Sequence, residues 1–185
     1  MKLFLDTSND DFVIALFDNN FNKLNSYIIK NQPKKVPLIP QYVQKILIEN
    51  NIKINDIKDF YINLGPGFFT GVRISLVFVR TITLMTNANI HTISSMQILA
   101  KQNPSKKAFS INAAGGKVYK YFTNDNIFSI ENIKIEQLEN QEIDFINYEN
   151  LIENFQDYSS LFTTQKDLMN IEPYYIKSPQ IGVKK

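Results

Sequence analysis

The stretch Gly65-Pro66-Gly67-Phe68-Phe69-Thr70-Gly71-Val72-Arg73 holds the residue types best suited to a functional loop. A glycine-rich turn between strand and helix attracts anions, because unbonded backbone N–H groups and the positive end of the helix dipole converge there. The specific phosphate motifs fail at one residue. A P-loop needs glycine where Thr70 stands, followed by lysine, and the dinucleotide pattern G-x-G-x-x-G needs glycine at the same place. Pro66 also removes an N–H that a phosphate cradle would use. A structural turn accounts for the glycines but not for Phe68 and Phe69 at its mouth, or for Arg73 in a helix's first turn. A cation there opposes the dipole and needs a carboxylate, either Asp6 in this chain or an acidic group on a partner. Arg73 and Arg80 share a helix face with Val77 between them. That mixture of apolar surface and guanidinium is favoured at protein interfaces, although a core helix with ordinary salt bridges has the same composition.

Asp6-Thr7-Ser8 is the second candidate. A carboxylate at a hairpin end can hold a metal–phosphate complex, but a phosphate clamp needs glycine so that backbone can approach closely. No glycine stands between Asp6 and Phe17, which favours a turn role for Asp6. His91 is the lone histidine and reads as structural; cysteine is absent, which excludes thiolate metal sites and a cysteine nucleophile. Ser8, Ser75 and Ser94 lack a G-x-S-x-G setting.

The elements that must position these residues follow from hydrophobic spacing. Apolar runs at 2–5 and 12–17 flank a cluster of turn formers and predict a hairpin, with a third strand at 25–30. Leu38, Ile39, Tyr42, Val43, Ile46 and Leu47 recur at helical spacing over 38–50. A buried strand at 60–64 feeds the glycine loop, and Thr70 is the expected N-cap of a helix over 71–86. A strand at 90–93 and a helix over 96–101, capped by Ser94 or Ser95, complete a first lobe over 1–103. A second lobe over 104–185 opens like the first. Asn112 falls opposite Asp6, and residues 118–122 fall opposite 12–16, so the paired carboxylates of a metal cleft are missing. A strand-like run at 127–135, a helix near 148–155 and a strand near 160–163 follow.

With 20 basic and 18 acidic residues the net charge is +2, too small to draw nucleic acid or anionic membrane over long range. The pairs Lys34-Lys35, Lys106-Lys107 and Lys184-Lys185 are what a solvated surface carries anyway. An apolar share of 44% supports a folded core. The N-terminus lacks a signal-peptide pattern, and the apolar run at 72–85 contains two arginines and is too short to span a bilayer. The expectation is a soluble, cytoplasmic protein without a membrane partner.

Five segments, LFLDTSNDDFVIAL, PLIPQYVQKILIEN, GPGFFTGVRISL, SSMQILA and PYYIK, together resemble the TsaB (YeaZ) family. The resemblance implies an α/β, two-lobed fold of the actin, sugar kinase and Hsp70 type, built from RNase H-like lobes, with the second lobe abbreviated. It also implies a non-catalytic subunit that dimerises with the catalytic subunit TsaD. Their complex places threonylcarbamoyl on adenosine 37 of tRNAs that read codons beginning with A. The partner surface would comprise Gly65, Gly67, Phe68, Phe69, Thr70, Gly71, Arg73, Val77 and Arg80, with the ATPase TsaE joining nearby. ATP and metal would sit on those partners, tRNA would be contacted indirectly, and the isolated chain could pair with itself. The alternative is an ATP-dependent phosphotransferase or glycoprotease-like enzyme of the same fold. Lys34-Lys35 replaces a His-Ser or His-Thr pair of the family, and Asn112-Ala113-Ala114 replaces its Asp-Ala-Arg.

Overall fold

The computed structural model describes residues 1–123, 128–138 and 142–176. Strands β1 (Lys2–Asp6) and β2 (Phe12–Phe17) form an antiparallel hairpin, with Leu3 opposite Leu16 and Leu5 opposite Ile14. β3 (Lys23–Ile29) pairs on the outside of β2. Helix α1 (Leu38–Glu49) leads to β4 (Asp59–Asn63), parallel to β1. Helix α2 (Phe69–Thr86) then leads to β5 (Asn89–Ile93), parallel to β4, and α3 (Ser95–Gln102) follows. A second sheet is antiparallel throughout and contains β6 (Ala108–Asn112), β7 (Lys117–Phe122) and β8 (Ile133–Gln137). Two short helices, α4 (Tyr148–Glu153) and α5 (Phe155–Ser159), precede β9 (Thr163–Gln165). The larger sheet runs β3-β2-β1-β4-β5-β9.

Strands β1 and β2 are nearly continuous apolar runs because both faces of the sheet are covered. Leu3, Leu5, Phe12, Ile14 and Leu16 meet Ile39, Val43, Leu76 and Val79 of α1 and α2. Their alternates Phe4, Val13, Ala15 and Phe17 meet Met96, Leu151 and Phe155, together with Phe109 and Tyr119 from the second sheet. Phe155 anchors that side, stacked on Phe17 at 4.4 Å and tilted against Phe4 at 5.4 Å.

Several boundaries differ from expectation. Helix α2 starts at Phe69, so Thr70 lies inside it and Phe68 is the N-cap residue without a side-chain bond. The first hairpin supplies one acceptor in place of that cap, the Ser8 carbonyl, which takes the Phe68 N–H at 2.7 Å; the Thr7 hydroxyl also ties the hairpin to this turn by donating to the Gly71 carbonyl at 2.6 Å. Of the two candidate caps for α3, Ser94 is used; its hydroxyl accepts from Met96 N–H, and Gln97 reaches back to its N–H. β8 begins only at Ile133, after a 3-10 turn at Ile130–Asn132; residue 127, where the strand was expected to start, lies outside the described residues. The helix expected near 148–155 is broken at Asn154. β9 begins at Thr163, because Phe162 turns its ring into the aromatic core beside Phe4 and Tyr61.

β9 joins the larger sheet beside β5, and the strap that follows returns to the face carrying α2. Ile171 is buried among the α1 and α2 side chains, and Tyr174 donates its N–H to the Leu64 carbonyl at 2.9 Å. Among the described residues α2 is long and apolar enough, at 18 residues, to cross a membrane by length and composition alone. It is longer than the run read from sequence, and its Leu76 and Val79 pack on the sheet.

Candidate functional site

Asp6 ends β1 fully buried, and its carboxylate is saturated. One oxygen accepts from the Ser8 N–H at 2.8 Å and the Ser8 hydroxyl at 2.6 Å. The other accepts from the Asn63 amide at 2.8 Å and the Tyr148 hydroxyl at 2.8 Å. Four donors occupy the four lone-pair sites of an ionised carboxylate. A metal or a water at this carboxylate would have to displace one of these donors. The Asn63 amide also reaches Ser95 Oγ at 2.8 Å, so the network ties β1, β4, α3 and α4 together. Burial, then the Asp6 charge, pushes the Tyr148 phenol well above its ordinary pKa, which keeps it a donor.

The glycine loop lies directly on this hairpin. A Cβ on Gly67 would stand 2.2 Å from the Ser8 carbonyl oxygen, and one on Gly71 would stand 2.0 Å from that of Thr7. The hairpin backbone therefore fills the space that a phosphate would need. The glycines permit close approach of two protein segments, which is their structural use here.

The cleft between the hairpins is small and acidic. Asn112 ends β6 as Asp6 ends β1, and each side chain accepts from the N–H two residues on. The two ends are thus equivalent turns. Asn9, Asp10, Asp11, Asn112, Asp144 and Tyr148 help line a cavity of about 70 Å³. Binding pockets for organic ligands run to roughly 300–1,000 Å³. Asp11 pairs with Lys30 at 3.6 Å, and Asp144 pairs with Lys106. Two of its carboxylates are thus paired with lysines of the same chain, and the cavity adjoins a larger one through Asp10, Asn31 and Phe68.

Lys35 corrects the reading of Lys34-Lys35 as a solvated pair. It is 6% exposed, lies over the Phe68 ring at 5.7 Å and donates to the Asn9 carbonyl. Burial lowers its pKa, against the opposing fields of Asp6, Asp10 and Asp11. A cavity of about 760 Å³ opens beside it, between residues 31–37 and the first turn of α2.

The outward face of α2 has the opposite character. Phe69, Thr70, Arg73 and Val77 are exposed, and Leu84 and Met85 extend the apolar surface toward the C-terminal end. Val77 is 59% and Met85 79% exposed. The Arg73 guanidinium lies 4.7 Å from the Phe69 ring centre, and the Asp6 carboxylate, one of its two expected counter-charges, is bound elsewhere. Phe68 is half-buried, while Gly65 and Gly71 are buried with the hairpin. Arg80 turns inward, donating to the Ile171 carbonyl of the strap, and its Nε has no hydrogen-bond partner among the described residues. Arg80 therefore joins α2 to the strap instead of facing outward with Arg73.

His91 is structural, as its sequence position suggested. Its Nε2 lies 2.9 Å from Asp59 and its Nδ1 2.9 Å from the Thr164 hydroxyl, so it bridges β4, β5 and β9. Sequence reasoning passed over Asn63, Tyr148 and Tyr175. The first two reach Asp6 from 57 and 142 residues away, and no local pattern marks either. Tyr175 belongs to a motif noticed in the tail, but its place beside Phe69, at 5.6 Å, depends on the path of the strap.

The chain matches the family model of the tRNA N6-adenosine threonylcarbamoyltransferase TsaD over residues 34–155. An uncharacterised protein of Mycoplasma genitalium, MG208, is 26% identical over 194 aligned positions, covering 96% of this chain and 95% of that protein. The tRNA threonylcarbamoyladenosine biosynthesis protein TsaB of Buchnera aphidicola is 29% identical over 135 positions, covering 68% of this chain and 62% of its own. YeaZ from Pseudomonas aeruginosa superposes with a TM-score of 0.56 at 22% identity, over 73% of this chain and 63% of that one. The chain thus spans less than two thirds of the Buchnera and Pseudomonas proteins, and the YeaZ likeness shows the two-lobed RNase H-like fold. The family match takes in α1, the glycine loop, α2 and the second hairpin, and with it the chain belongs to the TsaD family of threonylcarbamoyladenosine proteins, on its TsaB (YeaZ) branch.

Proposed function

We propose that this chain is a scaffold subunit in the formation of threonylcarbamoyladenosine on tRNA, and that it binds a TsaD-type catalytic subunit through α2. Membership of the TsaB branch supports the pathway and the partner. The observation that carries the mode of action is a contrast between two surfaces. The carboxylate placed for cleft chemistry is saturated by its own chain, while the adjoining helix presents Phe69, Thr70, Arg73 and Val77 outward. Such a protein contributes surface, and its partner contributes the reacting groups. ATP and metal then belong to the TsaD-type subunit and a TsaE-type ATPase, tRNA is met through the complex, and the setting is cytoplasmic. Without its partner, the chain can pair with itself through the same apolar face.

Reconstitution with purified TsaD-type and TsaE-type subunits, ATP, threonine, bicarbonate and the enzyme that makes the activated threonylcarbamoyl donor tests this reading. The expected result is tRNA modification that depends on this chain and falls to background with Val77→Asp. Full modification with that variant, or without the chain, would contradict it. Calorimetry with ATP and Mg²⁺ on the isolated chain is expected to show no binding; micromolar affinity would favour the phosphotransferase alternative.

A further inference from the structure

The strap after β9 reaches the first turn of α2. Ile171 and Pro173 are buried, and the half-buried Tyr174 packs against the α1 and α2 side of the core with its ring 5.8 Å from that of Phe128. Tyr175 points outward, 43% exposed, with its ring 5.6 Å from Phe69. The Arg73 guanidinium lies near both, 4.7 Å from the Phe69 centroid and 6.0 Å from that of Tyr175. None of the ion pairs among the described residues includes Arg73.

Aromatic rings beside a guanidinium strip water from its flat faces and leave its N–H edge to find an acceptor. The acceptor that suits a planar fork is a carboxylate, held by two parallel hydrogen bonds. We propose that Tyr175 is part of the docking surface: with Phe69 it holds Arg73 in place to receive an acidic side chain of the TsaD-type partner. This rests on the reading of α2 as the partner face. The tail thereby acts in recognition as well as in closing the core, and a surface assigned to one helix becomes a composite of helix and strap.

Affinity for the TsaD-type subunit, measured by titration calorimetry, tests the proposal with four variants. Val77→Asp reports on the α2 face alone and is expected to abolish binding. Tyr175→Ala is expected to weaken binding about three- to tenfold, and Tyr175→Phe to leave it unchanged, because only the ring is used. Arg73→Lys keeps the charge and the strap but loses the planar fork, and is expected to weaken binding to a similar degree. If Val77→Asp abolishes binding while Tyr175→Ala and Arg73→Lys bind like the parent, the strap proposal fails and the helix reading stands. If all four bind like the parent, the helix reading itself fails. Where Tyr175→Ala also lowers the melting temperature, the double variant with Arg73→Lys decides: a loss no larger than that of Arg73→Lys alone supports the proposal, and two losses that multiply overturn it.

Discussion

A carboxylate that accepts four hydrogen bonds inside a protein holds its neighbours in place. For Asp6, replacement by Asn turns an acceptor into a donor facing other donors. Asp6→Asn is expected to lower unfolding free energy by about 2–3 kcal/mol, read from urea denaturation. An unchanged midpoint would mean that the network contributes little. Gly71→Ala drives a methyl into the Thr7 carbonyl and is expected to cost about 1–3 kcal/mol by the same measurement. Tyr61 gives a pH signature. Burial, then the Asp59 charge, raises its phenol to about 12. Between pH 10 and 12 the unfolded chain loses that proton while the folded chain keeps it. Stability from this group is therefore present below pH 10 and is lost as pH rises through 12. Tyr61→Phe should show a smaller drop in urea midpoint between pH 9 and pH 11 than the parent; an equal drop would place the alkaline loss elsewhere. At this scale the structural role of Asp6 was legible, because a hairpin without glycine cannot cradle phosphate. Its donors were not, since chain separation hides Asn63 and Tyr148 from any local pattern.

Helix α2 shows what periodicity can and cannot reveal about an element. Its position after a strand and glycine loop identifies a helix despite β-branched composition, and Val77 and Arg73, which spacing puts on one face, are both exposed. The helix begins before Thr70 because the acceptor for the Phe68 N–H, the Ser8 carbonyl, comes from the β1–β2 connection and leaves no local signal. Arg80 was misread for a related reason: spacing puts it near Arg73, but the strap that it bonds returns from the far end of the chain. Arg80→Ala is expected to cost about 1 kcal/mol and to speed hydrogen exchange at the Tyr174 amide, which hangs from the Leu64 carbonyl. Exchange that stays at the parent rate would show that the Arg80 bond does not hold the strap.

Across the whole molecule, repetition and closure set the architecture. The two hairpins were legible as a repeat, and their ends prove equivalent in the Asp6 and Asn112 turns. The return of β9 and the strap to the larger sheet was not legible, since three short strand residues and an irregular tail carry no periodic signal. The carboxylate at the cleft is bonded by its own chain, while the α2 face stays open, and the proposed division of labour between this chain and its partner rests on that difference. Light scattering on a size-exclusion column, with the chain and a TsaD-type subunit mixed in equal amounts, tests it most directly. The account predicts one co-eluting complex for the parent chain and separate peaks for Val77→Asp, with both chains melting at the same temperature. A Val77→Asp chain that still co-elutes in full, or a parent chain that never does, would contradict it.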